Sequence, residues 1–185
     1  MSASARPGRP RASSRETIAE AASELFLEQG YDATSIADIT RRAGVSRSSF
    51  FNYFSGKVDV LWTRFDERIQ AAEDLLRMPE VTVREALSAV ADGLVPDTLA
   101  LAITNAEAMG VAAELTRDRA LRQARLQSAV AERLRADGTP SLESEVRAAA
   151  YAAAVLAAVW TWADRTGDGT SLDGVLADAL ELAAR

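Results

Sequence analysis

Apolar residues recur at spacings of three and four along most of the chain, and the breaks fall on Gly, Pro and cap residues. This pattern predicts an all-α protein. Ile18, Ala22, Leu25 and Phe26 form the first stripe, with Ser13 and Glu16 as its start signal and Gly30 as its end. Ser35 and Asp38 open a second helix in which Ile36, Ile39 and Ala43 share a face. Gly44 closes it where a left-handed residue is needed, a conformation glycine adopts without steric cost. Val45 plugs the turn, and Ser46 caps a third helix that buries Phe50 and Phe54. Two helices joined by such a turn are a helix-turn-helix, whose second helix would lie in a DNA major groove.

After Lys57 the periods lengthen. Val58, Leu61, Trp62, Phe65, Ile69, Ala72 and Leu76 predict a long helix to about Met78, stopped by Pro79. Thr82 with Glu85 opens a helix to about Leu94, and Pro96 and Asp97 open another to about Met109, broken by Gly110. Residues 112–136 form a charged helix whose Arg117, Arg119, Arg122, Arg125, Arg133 and Arg135 are expected to be a solvated face paired with Glu114, Asp118 and Glu132.

The helix over 141–165 has one stripe at Tyr151, Val155, Ala158 and Trp162 and a second at Ala149, Ala153, Leu156 and Trp160. The last, over 171–184, must hide Leu172, Val175, Leu176, Ala179 and Leu180. A helix apolar on two sides must be buried on two sides. A homodimer through a four-helix bundle meets that need, with Tyr151, Val155, Ala158, Trp162, Leu172, Val175, Leu176 and Ala179 as the expected interface. The expectation is therefore about nine helices in three parts. These are a flexible basic arm (1–13), a three-helix DNA-binding domain (14–57) and a helical effector-binding and dimerisation domain (58–185).

Charge sharpens this division. The chain of 185 residues carries a net charge of −6, but residues 1–57 hold eight basic and six acidic side chains and the remainder 13 and 21. The positive part is the part expected to meet phosphate, where counterion release supplies salt-dependent affinity. Arg6, Arg9 and Arg11, spaced by Pro and Gly, suit an arm along a minor groove or phosphate ridge. The exposed face of the third helix offers Ser46, Arg47, Ser48, Ser49 and Asn52, with Tyr53 near its end, side-chain types that reach base edges and phosphates.

The chain has no Cys and no His, which removes thiolate metal sites, disulfides and the usual nucleophile–base pairs. We expect no enzyme activity, no cofactor and no metal. The opening segment lacks an apolar core and the run Ala148–Ala158 is short for a bilayer, so a cytoplasmic protein without a membrane partner is expected.

The segments LFLEQGY, TSIADI, AGVSRSSFFNYF and SGK together resemble the DNA-binding domain of TetR-family transcriptional regulators, over about residues 14–60. The resemblance implies that Thr34 and Ser35 anchor phosphates, that Arg47, Ser48 and Ser49 face bases, and that Tyr53 and Lys57 hold phosphates on either side. Ser48 stands where the family often has Gly, and Phe51 where it often has Tyr. Phe51 cannot donate the hydroxyl contact common there.

The resemblance also implies a homodimeric repressor released from a near-palindromic double-stranded DNA operator by a small apolar effector. Trp62, Phe65, Asn105, Glu107, Met109 and Trp160 are candidate lining residues of its pocket. An alternative is a helix-turn-helix protein whose C-terminal body binds a protein partner rather than a small ligand.

Overall fold

The computed structural model describes residues 14–165 and 168–185. Among them the chain is all-helical: α1 (Ser14–Gln29), α2 (Ile36–Ala43), α3 (Arg47–Phe51), α4 (Asp59–Leu76), α5 (Val83–Ser88), a 3-10 turn (Ala89–Ala91), α6 (Thr98–Thr104), α7 (Ala106–Met109), α8 (Ala112–Ala136), α9 (Ser141–Asp164) and α10 (Leu172–Ala183). The expected arginines Arg6, Arg9 and Arg11, and the expected cap Ser13, lie outside the described residues.

The local start and stop signals act as read. At α2 the Ser35 hydroxyl accepts from Asp38 N at 3.1 Å while the Asp38 carboxylate accepts from Ser35 N at 3.0 Å. Thr82 and Glu85 make the same reciprocal pair at α5. Asp97 accepts from Leu99 N and Ala100 N to cap α6. Gly44 sits at φ 68°, a left-handed C-cap.

The single helix expected up to Met109 is instead two, so ten helices stand where about nine were read. Asn105 leaves helical geometry at φ −114° and ψ 24°. Both its backbone N–H and its Nδ2 donate to Leu101 O, which closes α6 and lets α7 start afresh.

The apolar core runs without a break from Ile18 in α1 to Leu180 in α10. Its axis is α4, whose Val60, Leu61, Trp62, Phe65 and Ile69 are fully buried. The arginines of α8 form a solvated face only in part: Arg117, Arg125 and Arg135 are exposed, whereas Arg119, Arg122 and Arg133 are half-buried. Arg122 forks onto the Asp66 carboxylate at 2.7 and 2.6 Å, and Arg125 onto Glu73 at 2.6 Å for both bonds. Arg133 donates to the carbonyls of Leu76, at the end of α4, and of Met78 and Pro79 just beyond it. Of the acids expected as partners, Asp118 pairs with Arg122. Thus α8 grips α4 along most of its length, through bidentate charge-assisted bonds that are among the stronger polar contacts.

Helix α9 is long and apolar enough to cross a bilayer, yet it packs against α6, α8 and α10 and buries ten of its side chains. Most of the expected dimer residues lie within the protomer's own core. Tyr151, Val155, Ala158, Trp162, Leu172 and Leu176 are buried inside one protomer, and Val175 and Ala179 are half-buried against the same core. The stripe assigned to a second subunit is consumed by α8 and α10 of the same chain. The apolar side chains that α9 leaves exposed are Leu142, Val146, Ala153 and Ala157, with Trp160 half-exposed.

Candidate nucleic-acid interface

Helix α3 is held from beneath by aromatic packing. Phe50 is fully buried, and its ring lies 5.3 Å from that of Phe54. At the other end of the head, Phe26 and Tyr31 pack at 5.1 Å. Arg42 ties α2 to α1, donating to Glu28 at 3.0 and 2.6 Å and to Glu24 at 3.1 Å. Its hydrogen bond to Glu28 holds that carboxyl below the usual range and keeps the guanidinium charged. The Asp59 carboxylate accepts from Ser55 N and Gly56 N, fixing the turn from α3 into α4. These contacts fix α3 against α1, α2 and α4 from its inner side.

That outer face carries Arg47, Ser48, Asn52 and Tyr53, all exposed, with Ser49 half-buried. Ser46 caps the helix by accepting from Ser49 N at 3.0 Å, and its hydroxyl lies 2.8 Å from those of Ser48 and Ser49. These three serines form a small hydroxyl cluster at the helix N-terminus, where the backbone dipole favours an anion. Phe51 is 47% exposed, and the Arg47 guanidinium lies 5.6 Å from its ring centroid. The sequence marked Phe51 only for the hydroxyl it lacks, and the structure shows its ring exposed beside Arg47. It gives Arg47 a resting place beside the groove-facing surface.

Two of the expected phosphate anchors point inward. Thr34 is 1% exposed, and its hydroxyl donates to Gly30 O at 2.7 Å. Lys57 Nζ donates to Tyr31 O at 2.5 Å and Thr34 O at 3.0 Å, and lies 3.9 Å from the Tyr31 ring centroid. Both side chains therefore staple the 31–34 loop that leads into α2. Ser35 is exposed but committed to the cap of α2. Burial beneath this staple pushes the Tyr31 phenol up to about 12.

Head and body also meet where α1 packs against α4, α6 and α7. Tyr31 N donates to Met109 O at 2.7 Å, between two left-handed glycines, Gly30 at φ 83° and Gly110 at φ 68°. This bond joins the loop before α2 directly to the end of α7. A cleft of about 550 Å³ opens between α1, α4 and the 93–98 loop, with Arg15, Glu16, Arg64, Glu67 and Asp97 among its walls. Arg15 pairs with Glu67 and Arg64 with Glu16 across it. Burial raises the Asp97 carboxyl above its usual range, against the lowering by its Ala100 and Leu99 N–H donors.

The expected pocket residues separate. Trp62, Phe65 and Met109 are fully buried and fill the core, and Glu107 is exposed on α7. Asn105 borders a cleft of about 420 Å³ along α6. Trp160 borders another of about 190 Å³ between α6, α7, α8 and α9. The body thus offers shallow clefts around a filled centre rather than one chamber lined by all six.

Residues 18–61 match the sequence profile described as bacterial regulatory proteins, tetR family. A regulator of Mycobacterium tuberculosis ascribed to mycofactocin biosynthesis is 33% identical over 86 residues, 45% of this chain and 43% of that protein. The transcriptional activator FasR of Mycolicibacterium smegmatis is 35% identical over 72 residues, 37% of this chain and 33% of that protein. The chain matches less than half the length of these two curated relatives. Over nearly the whole chain, the Thermus thermophilus repressor FadR, solved with lauroyl-CoA, has the same fold: TM-score 0.57, 26% identity, 92% of this chain and 93% of that one covered.

Proposed function

The chain belongs to the tetR family of bacterial regulatory proteins, and from that premise we propose that it is a cytoplasmic, homodimeric, sequence-specific DNA-binding regulator. It represses by occupying a near-palindromic operator, which it leaves when a small effector binds the body. The observation that carries this reading is the outer face of α3. Arg47, Ser48, Asn52 and Tyr53 are exposed together on and just after a short helix anchored from beneath by buried Phe50. Arginine reads guanine bidentately and asparagine reads adenine, so this face can discriminate bases and not merely attract phosphate. With Thr34 and Lys57 turned inward, exposed Ser46, Ser48 and Tyr53 are the side chains proposed to meet phosphate in this reading.

Two routes connect an effector to the head: the α4 helix gripped by α8, and the Tyr31–Met109 backbone bond from α7. An effector releases DNA only by binding the non-DNA arrangement more tightly, since equal affinity shifts nothing. The relative solved with lauroyl-CoA makes acyl compounds the first effectors to try. Repression is the expected sign, because a bound dimer blocks polymerase without further contacts.

The test is selection of duplex DNA from a random library at physiological salt, followed by titration of the winning sequence. A palindrome bound by two subunits is the expected result, with half-sites about 34–36 Å apart or a multiple of that. Failure to enrich any sequence above a salt-sensitive background would sink the base-reading role of α3.

A further inference from the structure

Resting on that reading of the body as effector-binding, we propose that Arg119 and Trp160 form the head-group end of an effector site that takes a small apolar anion, a carboxylate or the phosphate of an acyl conjugate. Arg119 is half-buried in α8, and among the described residues its contact is the face of the Trp160 indole, 4.4 Å from guanidinium carbon to ring centroid. Two other half-buried arginines of the same helix are satisfied. Arg122 has Asp66 and Asp118, and Arg133 has Asp137 and three carbonyls.

A guanidinium drawn partly out of water without an anion is an unfavourable arrangement that a bound carboxylate relieves. Burial pulls the Arg119 guanidinium below its ordinary range, the direction expected for a cation in that position. The remaining walls suit the other end of such a ligand. Ile103, Ala106 and Leu115 line the cleft of about 190 Å³ together with Arg119 and Trp160.

The geometry also orients the anion. Stacking on Trp160 occupies one face of the guanidinium and leaves its N–H edges free for a fork onto two oxygens. The cleft is smaller than those that enclose drug-sized ligands, so its occupant is a short-chain or single-ring acid, or the reactive end of a longer conjugate. Ala106, in its wall, begins the short helix α7 whose Met109 carbonyl holds Tyr31. Filling the cleft therefore acts on the helix that touches the DNA-binding head.

The experiment is isothermal titration calorimetry of the full chain with hexanoate and benzoate, with 1-hexanol and benzyl alcohol, and with hexanoyl-CoA. The proteins are wild type, Arg119→Gln, Arg119→Lys and Ala112→Leu. At least one anion is expected to bind about tenfold or more tightly than its neutral analogue. Arg119→Gln should erase that preference, Arg119→Lys should keep part of it, and Ala112→Leu should block binding by filling the cleft while leaving Arg119 in place. Arg119-dependent binding of hexanoyl-CoA without hexanoate assigns the anion to the conjugate's phosphates; the reverse assigns it to a free acid.

Equal affinity for acids and alcohols, undiminished anion binding by Arg119→Gln and Ala112→Leu, or no binding of any compound would overturn the site. The selected operator is titrated on the same preparations. A protein that holds its operator but ignores these anions loses only this proposal, whereas one that selects no DNA loses the regulator reading itself.

Discussion

Arg47 and Lys57 are both cations of the DNA-binding head, and their surroundings give them different tasks. Arg47 is exposed over Phe51, whereas Lys57 is half-buried with two backbone carbonyls as acceptors. Arg47→Ala should therefore relax base preference at one operator position by about 1–3 kcal/mol, read by comparing the selected operator with single-base variants. Lys57→Ala should lower thermal stability and weaken binding evenly on all sequences, with an unchanged slope of log affinity against log salt. A lost phosphate contact would reduce that slope by about one instead. The difference between the two residues was not legible in the sequence. A cap such as Ser35 acts on an amide three residues away, so its role can be read locally. The acceptors of Lys57, Tyr31 O and Thr34 O, lie more than twenty residues back along the chain and reach it through tertiary packing.

At the scale of elements, α4 is the covalent link between body and head, and its hold on the body runs through α8. Arg122 is one of the enclosed links, with its side chain 12% exposed and Asp66 31% exposed. It also lies over Trp62, 4.0 Å from the ring centroid. Arg122→Met should destabilise the chain by about 1–3 kcal/mol, less than the cost of breaking a fully buried pair because Asp66 keeps part of its hydration. Urea unfolding measures it. Pairing Arg122→Met with Asp66→Asn should recover part of the loss, and strict additivity of the two would show that the fork adds nothing. The existence and order of the helices could be read because a three-four stripe marks a buried face whatever that face meets. The partners of α8 could not, because a row of arginines fits a solvated face as well as it fits the acids and carbonyls of α4. The division at Asn105 was hidden for a similar reason: asparagine is tolerated in a helix until its side chain takes the Leu101 carbonyl.

For the whole molecule, the question is which surface a second copy covers. Two apolar stripes on one helix correctly require burial on two sides, but periodicity cannot say which side another helix of the same chain will take. Here α8 and α10 take the stripe through Tyr151, Val155 and Trp162, and Leu142, Val146, Ala153 and Ala157 stay exposed at spacings of four, seven and four, which keep them near one face of the helix. No charged residue lies between Arg147 and Asp164, so Ala153 and Ala157 sit in an uncharged stretch, whereas Glu143, Glu145 and Arg147 neighbour Leu142 and Val146. The small side chains of Ala153 and Ala157 would let two helices approach closely, so a homodimer built on this face puts one copy of α9 against the other. Ala153→Glu places a charge at its middle without touching the protomer's core. It should leave helicity and melting of the protomer nearly unchanged while converting a dimer to a monomer in sedimentation equilibrium. Binding to a palindrome should then fall by about 10²–10⁴, because the second head no longer binds as part of one linked unit. Affinity for an isolated half-site should change little. A dimer that survives Ala153→Glu, but not a charge on the outer face of α10, would move the interface to that helix and leave the exposed line of α9 without a role in assembly.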